Sequence, residues 1–145
     1  MDDNVDGDLG LTLEAIEKRP WGDAPSDASY LVRTVHRLRR KPIGQLGVED
    51  LRILLGQDVG TEAVLPRALT VLEREPLAEG DYYPGDLLAA VLSLPVAYWQ
   101  KYPAYADRIE RILTTVESMD PETGEDPDDA TQSKIQAYRE RRSRQ

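Results

Sequence analysis

The longest apolar run of the chain, residues 87–92 (LLAAVL), constrains its fold more than any other stretch. Helical spacing places the large apolar side chains of this region on two neighbouring stripes, with Leu87, Val91 and Leu94 on one and Leu88 and Leu92 on the other. A helix that is apolar over so much of its circumference has to be covered from several sides, so we expect residues 85–94 to form the central helix. Pro84 suits the first position of that helix, because its φ is fixed near the helical value and a first turn leaves its missing donor unpaired anyway.

Further segments repeat apolar residues at helical spacing, and the sequence contains no long alternating strand pattern and no internal repeat. They cover residues 11–19, 30–40, 47–56, 61–75, 96–102 and 103–119. Pro66 falls inside one of these segments, so that helix either begins or bends there. We therefore predict an all-α protein, a single compact domain of about six or seven short helices over residues 11–118. Residues 1–10 are predicted to be a disordered tail, and residues 119–145 an acidic, mostly disordered one.

The segment at residues 30–40 combines an apolar face with the one basic patch of the chain. Its predicted buried stripe consists of Leu31, Val35 and Leu38, and its basic residues are Arg33, Arg37, Arg39, Arg40 and Lys41. We interpret the patch as a solvated helix face, and contact with an RNA or an acidic protein is the open alternative. At the other end of the chain, residues 133–145 are expected to be weakly helical at most, because they have little to bury.

Composition excludes several classes of site. The chain has 145 residues, no cysteine and a single histidine, His36, so thiolate metal sites, disulfides and a His-rich zinc site are excluded. Its formal net charge of −9 argues against nucleic-acid binding. No apolar run approaches the roughly 20 residues of a membrane span, and the acidic start MDDNVDGD is the reverse of a signal peptide. These observations favour a cytoplasmic protein that needs no cofactor and contacts no membrane.

Residues 73–86 concentrate acids around two tyrosines. The segment contains Glu73, Glu75, Glu79, Asp81 and Asp86 against the single base Arg74, with Tyr82 and Tyr83 among them. Carboxylates around aromatic side chains are typical of interface hot spots, although tyrosine packing beneath a solvated acidic turn explains the pattern equally well. The acids lack the spacing of an EF-hand loop and have no histidine nearby in the sequence, so we predict neither a metal site nor a catalytic residue there.

Residues 48–75 also fit a helix–turn–helix, which makes a small DNA-binding transcriptional regulator the alternative function. Its second helix carries Glu62, Glu73 and Glu75, whose charges would face phosphate. The basic patch lies on a different helix. The sequence therefore favours protein binding over DNA binding.

Several motifs, taken in order, resemble the immunity proteins of bacterial contact-dependent growth inhibition (CDI) systems. The most distinctive is residues 76–88, PLAEGDYYPGDLL. The others are Leu13-Glu14, Trp21-Gly22, Leu31-Val32, residues 36–42 (HRLRRKP), residues 48–52 (VEDLR), Gly56-Gln57, Gly60, Pro66-x-Ala68-Leu69, Leu94-Pro95 and Trp99. The resemblance covers about residues 11–113 and leaves the Asp-rich head and the tail beyond Ser118 outside it.

The resemblance implies a non-enzymatic cytoplasmic protein that binds the C-terminal domain of a cognate toxin, 1:1, and neutralises it. Such toxins are often nucleases, whose clefts are commonly basic because they attract phosphate. We predict that carboxylates and tyrosines occupy this cleft or its rim with fast association. The predicted toxin-binding residues are Asp58, Glu62, Glu73, Glu75, Glu79, Asp81, Tyr82, Tyr83 and Asp86.

Overall fold

A computed structural model describes residues 9–119 and 129–143, with side chains from residue 131 onward in the second range. Within these ranges the regular structure is entirely helical, so the predicted all-α class is confirmed. The α-helices are α1 (Leu13–Glu17), α2 (Tyr30–Leu38), α3 (Val48–Gly56), α4 (Thr61–Arg74), α5 (Asp86–Leu92), α6 (Val96–Lys101), α7 (Pro103–Glu117) and α8 (Asp129–Ser143), and a 3₁₀ turn (Ile43–Gln45) joins α2 to α3. The predictions for residues 1–8, 120–128 and 144–145 lie outside the described residues.

The apolar run forms the centre of the fold, as predicted. Every residue of α5 except Ala90 is buried, and α3, α4 and α8 pack around it. Burying one large apolar side chain contributes roughly 1.5–3 kcal/mol, so this short helix is held by its neighbours rather than by its own hydrogen bonds. The predicted position of Pro84 is wrong: Gly85 caps the helix with φ +95° and Asp86 is the first helical residue.

The flanking helices begin and end close to the predicted positions. In α3 the three leucines expected inside are buried, and α7 begins at Pro103 as its fixed φ favours. Pro66 lies inside α4, which continues from Thr61 to Arg74, so the helix does not begin at the proline. None of the helices in the described ranges is long and apolar enough to cross a membrane.

The inner face of α2 differs from the predicted one. Val35 and Leu38 are buried, but Leu31 stays 39% exposed at the start of the helix, so its predicted burial is wrong. Arg39, expected on the solvated patch, is instead fully buried. Its guanidinium lies 4.0 Å from the centre of the Trp21 ring, and its Nη2 donates to Glu17 Oε1 at 2.5 Å. Arg39 therefore fastens α1 and the loop after it to α2.

The last helix is the largest departure from the sequence analysis. Residues expected to be weakly helical with little to bury belong to α8, which is 15 residues long and packs on α5. Thr131, Ile135 and Tyr138 are its buried residues, at 0%, 5% and 1% exposure. Tyr138 meets the ring of Trp99 edge-on, with the ring centres 5.6 Å apart. Their spacing of four and three residues is helical, and the surfaces against which they pack belong to helices distant in the sequence, α5 and α6 among them.

Candidate functional site

The segment between α4 and α5 is a loop organised by one buried carboxylate. Asp86 is 4% exposed, and its oxygens accept hydrogen bonds from the backbone nitrogens of Gly80 at 2.7 Å, Tyr82 at 3.1 Å and Tyr83 at 3.4 Å. As the first residue of α5, Asp86 also lies at the positive end of that helix. The Asp86 carboxylate thus holds the loop at the start of α5, and it has almost no exposed surface for contact with a partner.

Two side chains of α3 complete this support. Glu49 Oε1 accepts a hydrogen bond from the backbone nitrogen of Asp81 at 2.9 Å, and Glu49 is itself held by Arg52, whose Nε donates to Oε1 at 2.7 Å. The hydrogen bond from Arg52 lowers the pKa of Glu49 and raises that of Arg52 in return. The Arg52 guanidinium lies 4.5 Å from the centre of the Tyr82 ring. Sequence reasoning missed Glu49 and Arg52 as parts of this site, although their spacing of three residues marks a helical ion pair.

Gly80 is the point where the loop passes closest to its supports. A side chain there would collide with Glu49 Oε1 and would bring its Cβ to 3.1 Å from Asp86 Oδ2. Glycine lets the backbone approach both carboxylates without displacing the Glu49 side chain. The sequence EGDYY therefore encodes a fixed loop shape as well as a cluster of acids.

The loop presents what we term the acidic surface: Glu75, Glu79, Asp81 and Tyr82. All four are exposed, and the Tyr82 side chain is 70% exposed. Among the described residues none of these three carboxylates forms an ion pair, so their charges are not neutralised within that part of the chain. The structure thus brings together four of the predicted residues, with Tyr83 half-buried beside them.

Asp58 lies at the other end of a groove that reaches this surface. The groove has a volume of about 350 Å³, and Arg52, Asp58, Tyr82, Tyr83 and Lys134 are among the residues that line it. Asp58 has φ +53°, a conformation that short polar side chains tolerate best. Its Oδ1 accepts hydrogen bonds from Thr61 Oγ1 at 2.5 Å and from the Tyr98 hydroxyl at 2.9 Å. Burial, followed by this bond to Asp58, raises the pKa of Tyr98.

The two predicted acids on α4 face α6 and α7 and are neutralised there. Glu62 accepts from the Tyr102 hydroxyl at 2.7 Å and from Lys101 Nζ at 3.0 Å, and these bonds lower its pKa. Glu73 is held by both Nε and Nη2 of Arg108, at 2.8 and 2.7 Å, and its pKa is lowered for the same reason. About 16 Å of helix separates these two acids. They are therefore not part of the acidic surface as the structure forms it.

The sequence also raised the questions of a metal site, a DNA-binding helix and the role of His36. Among residues 9–119 and 129–143, no group of three or more His, Cys, Asp or Glu side chains is placed to hold a metal ion. Helix α4, which a DNA-binding protein would place against the duplex, exposes Glu62 and Glu73, and Glu75 follows at its end. His36 is half-buried, with Nδ1 3.2 Å from the carbonyl oxygen of Gly22, and serves to hold the Trp21 loop.

These features define a small all-helical protein with an acidic loop whose backbone is hydrogen-bonded to Asp86 and Glu49. The family model for CDI immunity proteins matches residues 15–109, which is more than half of the chain. The chain therefore belongs to the CDI immunity protein family, and the resemblance found in its motifs is confirmed. Membership makes it an immunity protein against a CDI toxin, with a toxin protein as its binding partner. No curated protein and no solved structure matches the chain significantly.

Proposed function

We propose that the chain neutralises the C-terminal domain of its cognate CDI toxin in the cytoplasm by binding it 1:1, without any catalysis of its own. The match to CDI immunity proteins carries this proposal. The toxin domain is proposed to be a nuclease. This second step rests on charge, because the exposed carboxylates of the chain suit a partner whose cleft is built to attract phosphate.

The acidic surface is the proposed contact with that cleft. Its three exposed carboxylates speed encounter with a basic partner, while Tyr82 supplies contact area with few rotatable bonds. Because Asp86 and Glu49 hold the backbone of the loop in place before binding, little further ordering is needed when the toxin arrives. Affinity is thus favoured by a loop that already has its bound shape.

The remaining predicted residues take different parts in the proposal. Asp58 and Tyr83 line the groove next to the acidic surface and extend the contact along α3 and α5. Asp86 acts as a positioning residue, since it is buried and its carboxylate accepts hydrogen bonds from the loop and lies 4.0 Å from Arg52 of α3. Glu62 and Glu73 add negative potential from the periphery, reduced by the cations that already pair with them.

The test uses the purified chain and the C-terminal domain of the toxin encoded beside it. We expect the wild-type chain to bind the toxin domain tightly and to stop its cleavage of nucleic acid. Replacing Glu79→Lys together with Asp81→Lys should slow association about tenfold at low salt, because two attractive charges become repulsive. The single reversal Asp81→Lys is compared with Asp107→Lys, which changes the charge by the same amount at an exposed acid on α7 that has no ion-pair partner among the described residues.

The outcomes separate the function from the placement of the surface. A toxin domain that the wild-type chain neither binds nor inhibits contradicts the function. Unchanged association of the Glu79→Lys, Asp81→Lys variant at low salt rejects the acidic surface and leaves the function intact. An inhibited toxin domain that cleaves no nucleic acid rejects only the nuclease assignment.

A further inference from the structure

The first turn of α2 exposes a cluster of apolar side chains on the surface. Tyr30 is 72% exposed, Val32 42% and Leu31 39%. Further along the same helix Val35 and Leu38 are 6% and 0% exposed, so α2 is anchored by its second half while its first turn stands out from the core. Adjacent exposed apolar side chains of this size mark interaction sites more often than isolated ones do.

Two arginines extend this cluster along the outer side of the helix. Arg33 follows Tyr30 by three residues and Arg37 follows Arg33 by four, so the three side chains lie on one stripe of the helix. Both arginines are exposed, and neither forms an ion pair within residues 9–119 and 129–143. Arg40, one turn further on, is already paired with Glu14 and Asp23. The stripe therefore offers two arginines without an ion-pair partner in the described part of the chain beside an exposed tyrosine, and these are residue types that dominate binding hot spots.

We propose that the exposed surface of α2 is a second docking surface for the toxin domain, made up of the stripe Tyr30, Arg33 and Arg37 together with Leu31 and Val32 of the exposed first turn. This proposal rests on the proposed function. It adds that the toxin domain contributes an apolar side chain flanked by carboxylates to this second contact. The apolar cluster receives the side chain, and the two guanidinium groups pair with the carboxylates in the forked geometry that arginine favours.

The charge of this α2 surface is positive, whereas that of the acidic surface is negative, and the difference limits the kinds of partner that can bind. A chain of net charge −9 that exposes two arginines on this helix is poorly suited to the repeated phosphates of a nucleic acid. An acidic protein face suits both its charges and its apolar turn. A partner that has to match a negative loop and a positive helix is also fixed in orientation, and toxin domains of a single charge sign are rejected.

The experiment measures the affinity of the full chain for the toxin domain encoded beside it, by calorimetric titration. We expect Arg37→Glu to weaken binding at least about tenfold, with a further loss in Arg33→Glu, Arg37→Glu. The matched control is Arg111→Glu, the same charge change on an exposed arginine of α7, which should alter the affinity by less than about twofold. Tyr30→Ala reports on the apolar part and should weaken binding at high salt as well as at low salt.

Each outcome has a distinct meaning. If the wild-type chain binds the toxin domain and all three α2 variants bind it with the same affinity, the second docking surface is rejected and the proposed function stands. Absence of binding by the wild-type chain overturns both. Binding of a duplex DNA or RNA oligonucleotide that is lost in Arg33→Glu, Arg37→Glu, while toxin affinity is unchanged, assigns the face to nucleic acid and also overturns the proposal. Thermal unfolding midpoints within about 2 °C of wild type, expected for exposed positions, show that the variants are folded.

Discussion

Replacing the buried carboxylate beneath the acidic loop, Asp86→Ala, is the most direct test of how this site is built. The change removes the acceptor for three backbone N–H groups and leaves them in a part-buried loop. Hydrogen bonds to a charged group contribute about 1.5–3 kcal/mol each. We count only the two shorter bonds, from Gly80 and Tyr82. Because the freed amides are only part-buried, water replaces part of each lost bond, and the lower value applies. Using the lower value for both gives an expected loss of about 3 kcal/mol in the free energy of unfolding.

The assay is urea unfolding followed by fluorescence, together with hydrogen exchange of individual amides. In Asp86→Ala the amides of Gly80 and Tyr82 should lose their protection, while those of α3 keep theirs. Asp81→Ala is the matched control, because this carboxylate is exposed and its loss should change stability by less than about 0.5 kcal/mol.

The same variant links stability to binding. Since Asp86 is only 4% exposed, a weaker complex with the toxin domain would come from the cost of ordering the loop and not from a lost contact. An unfolding free energy within about 1 kcal/mol of wild type, with Gly80 and Tyr82 still protected, would refute the reasoning. The loop would then be held by packing and not by this carboxylate.

Two further predictions concern other parts of the fold. The hydrogen bonds from Arg108 hold the pKa of Glu73 below its ordinary value of 4.5, so this pair stabilises the folded state above that pH and loses its effect as the pH falls through the lowered pKa. The difference in unfolding free energy between wild type and Arg108→Gln should therefore be constant above about pH 6 and shrink between about pH 5 and 3; a difference independent of pH contradicts the pairing. Tyr138 is buried, burial raises its pKa to about 12, and its hydroxyl has no hydrogen-bond partner among the described residues. Tyr138→Phe should leave stability unchanged or raise it by up to about 1 kcal/mol in urea unfolding, whereas Tyr138→Ala should cost about 3–5 kcal/mol; a clear loss in Tyr138→Phe would show that the hydroxyl is bonded.

The parts of the fold that sequence predicted are those decided by local pattern. The leucines of α3 and the run in α5 recur at helical spacing over one or more turns, and both helices formed where expected. Leu31 has the same spacing as Val35 and Leu38 but lies at the exposed start of α2, beyond the point where the core covers it. Periodicity identifies which side of a helix is apolar, and tertiary packing decides how far along the helix that side is covered.

The candidate site was predictable in composition but not in arrangement. The sequence analysis treated Glu79, Asp81 and Asp86 as one group of surface acids, but in the structure Asp86 is buried and the other two are exposed. That division depends on where the backbone nitrogens of the loop point, which no side-chain pattern encodes. Glu49 and Arg52 were missed because about 30 residues separate them from the loop along the chain. Long-range partners of this kind require the fold itself.

The position of α8 has a consequence for how the chain is made. Arg141 donates to the carbonyl oxygens of Leu92 and Leu94, and Ile135 and Tyr138 close the core beside α5. The helix lies outside the region that matches the family, and it follows the other described helices along the chain. During translation the apolar centre therefore stays open on one side until residues 129–143 have left the ribosome. A nascent chain that stalls before this point exposes the apolar surface of α5 that α8 covers in the folded protein, and such surface is prone to aggregation.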